Sequence, residues 1–385
     1  MLKTPVYINS IASISPLGIS HEEIWRNYRT DRHFIEKHNF SDTEAFAAFL
    51  PSELKEVLEE LRDSETRFKG LDDSVLYAIF SARQAFDRAG WGTKENVGIN
   101  IGSSRGATQL FEKHYKEFLE TQKVGVLASP STTLGNISSW VAQDLRTSGP
   151  DISHSVTCST GLHAVLNGVV WLQSGFADKF MVGGSEAALT PFTIAQMKAM
   201  KIYASKDLDY PCQALNMEKK RNSMVLGEAA GVLCISKDAT DSIAKISGLG
   251  YATEELKHSV SISANGTCFL KSMEMAIGSM DKSKIDAIVM HAPGTIKGDE
   301  AELNAIYKLF ENDVPALTSN KWKIGHTFGA SGILSMEFAV LMLMNNEFIP
   351  VPFSTISKAP KKLKNILVNA VGFGGNAVSI LISKN

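Results

Sequence analysis

The most informative stretch of the sequence is VTCSTGLHAVLNGVVWL, residues 156 to 172, which contains Cys158. Behind the segment TCSTG, apolar residues recur at helical spacing, which predicts a helix that begins directly after the cysteine. Cys158 is therefore expected at a strand-to-helix junction, close to a helix N-terminus. The apolar positions that carry this prediction are Leu162, Val165, Leu166, Val169, Val170 and Leu172.

A cysteine at a helix N-terminus is well placed to act as a nucleophile. The free N–H groups and the positive end of the helix dipole favour thiolate over thiol, so we expect the Cys158 pKa to lie below its usual value of about 8.5. The same N–H groups can hold an oxyanion that develops during acyl transfer. From the residues alone, the alternative is a small buried hydrophobe, which is the commonest role of a lone cysteine. Cys212, Cys234 and Cys268 lack such surroundings and are expected to be structural.

On both sides of this segment, short β-rich runs alternate with helical stretches. Val6 to Ile14 is followed by a polar helical region that reaches Ala89, and then by the run Val97 to Ile101. The pattern recurs in the second half in four short apolar runs at 244–249, 285–290, 314–317 and 366–371. This alternation predicts an α/β fold with helices packed on sheets, in two comparable halves of residues 1–240 and 241–385.

Length and composition are those of a soluble globular protein. The 385 residues are 44% hydrophobic and 21% charged, and a chain of this length exceeds the ~250–300 residues at which single cores stop growing. The net charge of -2 gives no electrostatic reason to expect nucleic acid or an anionic membrane as a partner.

The cysteine spacing and the apolar segments indicate the cellular compartment in which the protein is expected. The four cysteines have no CxxC spacing, which argues against a disulfide scaffold and against a zinc or other metal site. No secretory signal is apparent at the N-terminus, and the apolar segment Ile333 to Met344 is too short to span a bilayer. We therefore expect a cytoplasmic protein in which this segment is a core helix.

Several ordered motifs resemble those of β-ketoacyl-ACP synthases, beginning with TCSTG at Cys158 and MVGGSEAAL at 181–189. The resemblance extends over most of the chain and implies a thiolase-like α/β/α/β/α fold with two similar halves, usually dimeric, in which Cys158 carries an acyl group. The other motifs are INSIASISPLG at 8–18, KKRNSMVLGEAAGVL at 219–233, PGTIKGDEAE at 293–302, SNKWKIGHTFGASG at 319–332 and GFGGNA at 372–377.

The resemblance assigns roles to three residues of the second half. Lys321 and His326 match a family pattern K-x-x-x-G-H, in which the histidine donates a hydrogen bond to the enolate or oxyanion of the extending unit. That role needs a neutral imidazole, and a neighbouring ammonium helps by disfavouring imidazolium. Glu302 matches the glutamate of the family's GDxxE pattern, and we expect it to pair with Lys321.

The family's other histidine stands in a motif N-A-H-G-T, and here the segment reads His291-Ala292-Pro293-Gly294-Thr295. Pro293 occupies the histidine position, and proline has neither a side-chain donor nor a base nor an N–H. A positioned donor or base contributes about 10²–10⁴-fold, so decarboxylation is expected to be slowed or handled differently, while acyl transfer to Cys158 is retained. His291 lies two residues upstream on the same face of a strand, with its Cα about 6–7 Å away, so we expect it to be a packing residue rather than a replacement.

Two further segments are assigned by the resemblance. Thr295 matches a threonine that hydrogen-bonds the phosphopantetheine arm, whereas Lys297 stands where the family has a second threonine. Phe373, between Gly372 and Gly374, matches a gating loop whose phenylalanine closes the acyl pocket and whose backbone N–H completes the oxyanion hole. Flanking glycines let such a backbone move and approach a ligand. Without the resemblance, this loop is a Gly-rich turn beside a core aromatic residue.

The resemblance implies an acyltransferase of fatty acid, polyketide or polyene biosynthesis. Cys158 would take an acyl chain from acyl carrier protein and pass it to a malonyl-derived unit, with no cofactor beyond the phosphopantetheine arm of the substrate. Two alternatives stay open. A non-elongating partner resembling chain-length factors is favoured by Pro293, and a non-condensing acyltransferase or thioesterase would use only Cys158 and His326. The protein is expected to form a homodimer, or a heterodimer with another ketosynthase.

Overall fold

The computed structural model describes residues 2–92, 95–134, 136–255, 262–356 and 359–385, whose strands form a ten-stranded and a three-stranded sheet. The strands are β1 (Val6–Ile14), β2 (Glu36–Phe40), β3 (Thr43–Ala48), β4 (Val97–Gly102), β5 (Asp151–Ile152), β6 (Lys179–Glu186), β7 (Leu226–Gly227), β8 (Ala229–Ser236), β9 (Ala244–Thr253), β10 (Ala287–Val289), β11 (Ala316–Thr318), β12 (Asn365–Gly372) and β13 (Asn376–Ser383). The helices are α1 (His21–Tyr28), α2 (Ser52–Ser64), α3 (Asp73–Arg88), α4 (Thr108–Thr121), α5 (Ala128–Thr132), α6 (Asn136–Leu145), α7 (Thr160–Ser174), α8 (Pro191–Ala199), α9 (Thr267–Ile277), α10 (Ile296–Phe310), α11 (Lys321–Ile324) and α12 (Ser331–Asn345).

The large sheet contains the same strand pattern twice. In the first repeat the order is β5-β4-β6-β8-β1, where β4 is parallel to β5 and β6, and β8 is antiparallel to β6 and β1. In the second repeat the order is β11-β10-β12-β13-β9, with the same directions in the same places. An antiparallel pairing of β1 with β9 joins the two repeats. The predicted α/β fold with two similar halves is confirmed.

Helices cover and separate the two repeats. α3 and α6 pack on one side of the first repeat, α7 and α12 lie between the repeats, and α9 packs on the far side of the second repeat with α10 against it. The central helices approach closely, because a methyl group at Gly161 of α7 would lie 2.8 Å from the side chain of Ile333 of α12. The result is the layered α/β/α/β/α arrangement that the motifs implied.

α12 is the most apolar helix of this central layer. The window Phe328–Asn345 is long and apolar enough to cross a membrane by length and composition, but 89% of it is buried inside the protein. A helix that is apolar on all sides and buried is a core helix, as predicted from its sequence. It also buries one carboxyl group, Glu337, which accepts a hydrogen bond of 2.7 Å from the Ser13 hydroxyl.

The region between β1 and α3 differs from the prediction of a polar helical region. α2 and α3 are helical, but β2 and β3 form an antiparallel hairpin that turns at Ser41, whose φ is 54°. β3 in turn pairs with β7, which lies far away in the sequence. This pairing could not be read from local periodicity, because the strand partner that stabilises the hairpin is not a sequence neighbour.

Candidate active site

Cys158 lies in a strained turn just before α7. The preceding residue, Thr157, has a φ of 48°, a left-handed conformation that is costly for a branched side chain. The Thr160 hydroxyl stabilises the turn, because it donates to the Thr157 carbonyl at 2.6 Å and accepts from the Val156 N–H at 2.9 Å. The helix begins at Thr160, as the periodicity predicted, and the turn holds the Cys158 side chain just ahead of its first residue.

The thiol of Cys158 is buried, with 7% of the residue exposed. Burial raises its pKa to about 12; the charge of Glu186 acts in the same direction, whereas Lys321, the backbone N–H of Cys158 and Arg105 oppose the rise. The predicted lowering of this pKa is therefore wrong for the ligand-free protein, because desolvation outweighs the helix N-terminus. Cys158 is therefore a thiol in the ligand-free protein.

Glu186, at the end of β6, is a site residue that was not singled out from the sequence, although it lies in the MVGGSEAAL motif. Its Oε1 accepts hydrogen bonds from the Ser103 hydroxyl and from the N–H groups of Ser104, Arg105 and Gly329. Its Oε2 is buried without a hydrogen-bond partner among the described residues. Burial raises the Glu186 pKa to about 7, so this carboxyl group gains and loses its proton near neutral pH.

His326 is held in place by hydrogen bonds of its backbone. Its N–H donates to the Val225 carbonyl at 2.7 Å, and its carbonyl accepts from the Gly227 N–H at 3.2 Å. Gly325, with a φ of 70°, makes the turn that allows this docking. The ring of Phe328 lies 5.8 Å from the His326 ring and packs in the same apolar cluster as Cys158, so it borders both residues.

Lys321 is fully buried beside these groups, and its charge acts on Cys158 and His326. Burial lowers the Lys321 pKa to about 8, and its ammonium donates to the Ser335 hydroxyl at 3.3 Å. Burial, followed by the charge of Lys321, lowers the His326 pKa to about 3. His326 is therefore a neutral imidazole at physiological pH, the form that the predicted role requires.

Glu302 does not form the expected ion pair with Lys321. Among the described residues, no Lys321–Glu302 contact lies within salt-bridge distance, and the Glu302 carboxylate instead accepts from the His291 N–H at 3.0 Å, the Ala292 N–H at 2.9 Å and the Asn369 side chain at 3.0 Å. The physical reason is local: α10 brings Glu302 back under the turn after β10, where two buried N–H groups need an acceptor. Lys321 influences Glu302 only through its charge.

His291 lies in the site and contacts the second imidazole. The His291 and His326 rings are perpendicular, with centroids 5.1 Å apart and an interplanar angle of 84°. Both residues are nearly fully buried, at 4% and 2% exposed, and the Nδ1 atom of each has no hydrogen-bond partner among the described residues. Burial, with the charges of His326 and Lys321, lowers the His291 pKa well below its usual value. His291 is thus buried, as expected of a packing residue, and it also contacts the His326 ring.

The turn after β10 carries Pro293 and is anchored on both sides. The Gly294 N–H donates to Asp299 at 3.0 Å, and the Gly294 carbonyl accepts from the Ser223 hydroxyl at 2.8 Å. Asp299 also forms a buried ion pair of 2.8 Å with Lys219. Thr295 caps α10, since its hydroxyl oxygen accepts from the Gly298 N–H at 3.2 Å, and this is the contact that the structure gives it.

The hairpin between β12 and β13 touches the Cys158 turn through its backbone. The Thr157 hydroxyl donates to the Phe373 carbonyl at 3.4 Å, and a methyl group at Gly372 would lie 2.0 Å from that hydroxyl oxygen. Gly374 has a φ of 100°, which explains a glycine there. The Phe373 side chain is 40% exposed, so it borders the site at the surface and is not part of the core.

All four cysteines are free and buried. Across the described ranges, no group of three or more His, Cys, Asp or Glu side chains is arranged to hold a metal ion. What the structure brings together is a thiol, two neutral imidazoles, an ammonium and a carboxyl group, carried by segments of both sheet repeats. This set can attack a thioester and stabilise an oxyanion or enolate.

Comparisons with known proteins agree with this chemistry. Residues 3–240 match the model of the β-ketoacyl synthase N-terminal domain, and residues 243–353 match that of the C-terminal domain. The chain is 25% identical to 3-oxoacyl-[acyl-carrier-protein] synthase 2 of Staphylococcus aureus (strain COL), over 98% of each chain. Among solved structures it resembles the ishigamide ketosynthase/chain length factor, with a TM-score of 0.86, 19% identity and 99% of each chain covered. It also resembles one chain of a solved complex between a type II polyketide synthase acyl-carrier protein and its ketosynthase bound to the hexaketide. The TM-score is 0.85 and the identity 18%, and the match covers 99% of this chain and 100% of the other. Because the two family models together match most of its length, the chain belongs to the β-ketoacyl synthase family.

Proposed function

We propose that the protein takes an acyl group from an acyl carrier protein onto Cys158 and condenses it with a malonyl-derived unit, in fatty acid, polyketide or polyene biosynthesis. The observation that carries this proposal is the grouping of the Cys158 thiol with Lys321 and the neutral His326 in one buried site. A protein with a purely architectural role has no need of this set. Lys321 and His326 would stabilise the charge that develops on substrate oxygen.

The altered turn at Pro293 makes decarboxylation the unusual step of the proposed reaction. Acylation needs the Cys158 sulfur and donors for an oxyanion, and these groups do not involve residue 293. Loss of CO₂ from a malonyl thioester generates an enolate, whose stabilisation depends on donors near the second repeat. We therefore propose that the two steps respond differently to changes in the segment 291–295.

The phosphopantetheine arm of the carrier is the only cofactor in this proposal, and it arrives with the substrate. A cavity of 210 Å³ beside the turn is lined by Lys206, Lys220 and Arg221, and by Ser223, which hydrogen-bonds the Gly294 carbonyl. Cationic side chains suit the phosphate of such an arm. Replacing Lys220 and Arg221 with glutamate is expected to raise KM for the acyl carrier protein and to weaken the salt dependence of the rate.

A partner subunit is the second candidate, and an exposed apolar surface favours it. On and after α4, six large apolar residues are 55–94% exposed: Phe111, Tyr115, Leu119, Val124, Val126 and Leu127. Apolar clusters of this kind usually mark an interface. We propose that this surface binds a second copy of the chain or another ketosynthase, and in the latter case the protein would act like a chain-length factor. The four free cysteines support a reducing, cytoplasmic location.

The test is intact-mass measurement after incubation with acyl carrier thioesters, with and without a partner ketosynthase. The proposal expects an acyl adduct on Cys158, absent from Cys158→Ser, and a longer carrier-bound product after malonyl carrier is added. An adduct without elongation, except in the presence of the partner, would favour the partner-subunit function. An adduct that is hydrolysed or transferred without any elongation would favour the non-condensing alternative, and no adduct with any donor would contradict the proposal.

A further inference from the structure

Two buried imidazoles, those of His291 and His326, meet edge to face in this site. The turn after β10 nevertheless carries Pro293 where the family motif has its histidine. His291 ends the extended segment after β10, and its ring meets the His326 ring at 5.1 Å between centroids. Neither Nδ1 atom has a hydrogen-bond partner among the described residues. A buried polar atom without a partner costs free energy unless a ligand supplies the partner, so both rings are candidates for contact with substrate.

The backbone around His291 holds that ring in place. Both oxygens of the buried Glu302 carboxylate accept N–H groups of this segment, from His291 at 3.0 Å and from Ala292 at 2.9 Å. Ala292 has a φ of 23°, an unfavourable conformation that the surrounding contacts maintain. The carboxylate satisfies both buried N–H groups, and it thereby fixes the segment that carries the His291 ring.

We infer that His291 supplies the second hydrogen-bond donor of this centre and takes over, during decarboxylation, the role that the family motif gives to the position of Pro293. This inference rests on the proposed function. The malonyl thioester carbonyl oxygen would accept from the neutral His291 and His326 rings as the bond to the carboxylate breaks and CO₂ leaves. The freed electron pair forms the enolate, whose carbon bonds to the acyl carbonyl carbon on Cys158. The bond from that carbon to Sγ then breaks, and the thiolate takes a proton from solvent.

The experiment compares two rates on the full-length protein: formation of the Cys158 adduct, followed by mass, and release of CO₂ from malonyl carrier. In His291→Leu the ratio of CO₂ release to acylation is expected to fall about 10²-fold or more, as for loss of a positioned donor. The variant removes every side-chain donor at this position and keeps the backbone contacts to Glu302. His21→Gln, a partly buried histidine that contacts the Ile11 carbonyl at 2.9 Å, is the matched control and should leave the ratio unchanged.

A second variant makes the test independent of whether His291→Leu folds well. In His291→Leu with Pro293→His, an imidazole stands at the position of the family's histidine, and the ratio should recover at least tenfold relative to His291→Leu if an imidazole is what the site lacks. A ratio within about threefold of wild type in His291→Leu would overturn the inference, as would acylation of wild-type Cys158 with no CO₂ release at all. Absence of the adduct itself is a different result, because it removes the proposed function on which the inference rests.

Discussion

Replacing Gly372 with alanine tests how closely the β12–β13 hairpin controls the nucleophile. The added methyl group would lie 2.0 Å from Thr157 Oγ1, 2.7 Å from the Val156 carbonyl and 3.2 Å from Ser159 Oγ. The Thr157 hydroxyl can rotate away only by losing its bond to Phe373, which costs about 1 kcal/mol, and the Val156 carbonyl belongs to the backbone. The turn that carries Cys158 must therefore shift by roughly 1 Å, at a total cost of about 1–3 kcal/mol typical of overpacking.

The expected result is a lower free energy of unfolding by that amount and a slower acylation of Cys158. A displacement of about 1 Å at a reacting atom can reduce a rate by about 10²-fold. Urea unfolding and the mass-based acylation assay measure the two effects. Gly70→Ala is the matched control, because a methyl group there has no atom within 4 Å. If Gly372→Ala and Gly70→Ala had the same free energy of unfolding and the same rate of Cys158 acylation, the hairpin would not constrain the Cys158 turn.

Three further predictions concern buried ionisable side chains. Alkylation of Cys158 by a chloroacetamide should rise about tenfold per pH unit from pH 7 to pH 10, since its pKa is about 12; a plateau below pH 9 would contradict this. Lys219→Met should lower the free energy of unfolding by about 3–5 kcal/mol by leaving Asp299 unpaired, and Asp299→Asn in the same chain should recover part of the loss. The Glu337 pKa is raised to about 7 by burial, so the folded state binds this proton more tightly and stability falls as pH rises from about 5 to 8. Glu337→Gln should therefore raise the free energy of unfolding at pH 8 by on the order of 3 kcal/mol and have little effect at pH 4; an equal effect at both values would exclude a titrating carboxyl group.

The sequence predicts those helices and strands that depend on the pattern of neighbouring residues. The helix that begins at Thr160 and the strand over Val6–Ile14 follow from periodicity alone, and the family motifs bring Cys158, Lys321 and His326 to one site. The number of layers and the duplication also follow from the resemblance. The helix and the strand are predictable because each is encoded within one contiguous segment, whereas the layers and the grouping of the site residues follow from the resemblance of the motifs.

What the sequence does not predict depends on burial and on contacts between distant segments. The Cys158 pKa moves opposite to the expectation because the layers around the helix N-terminus exclude water. Glu302 accepts from two N–H groups and does not pair with Lys321, and the hydrogen-bond donors to Glu186 come from two segments far from it in sequence. The ring contact of His291 likewise depends on the docking of His326 against Leu226, which spacing along a strand cannot reveal.

The repeated strand pattern places Cys158 and His326 at related positions in the fold. Cys158 precedes the helix that links β5 to β6, and His326 lies just before the helix that links β11 to β12, so the two residues occupy corresponding places in the two sheet repeats. These corresponding places carry different side chains, a thiol in the first repeat and an imidazole in the second. Neither repeat alone holds both the Cys158 thiol and the His326 imidazole. Chemistry that uses both side chains would therefore depend on the packing of the two repeats against each other.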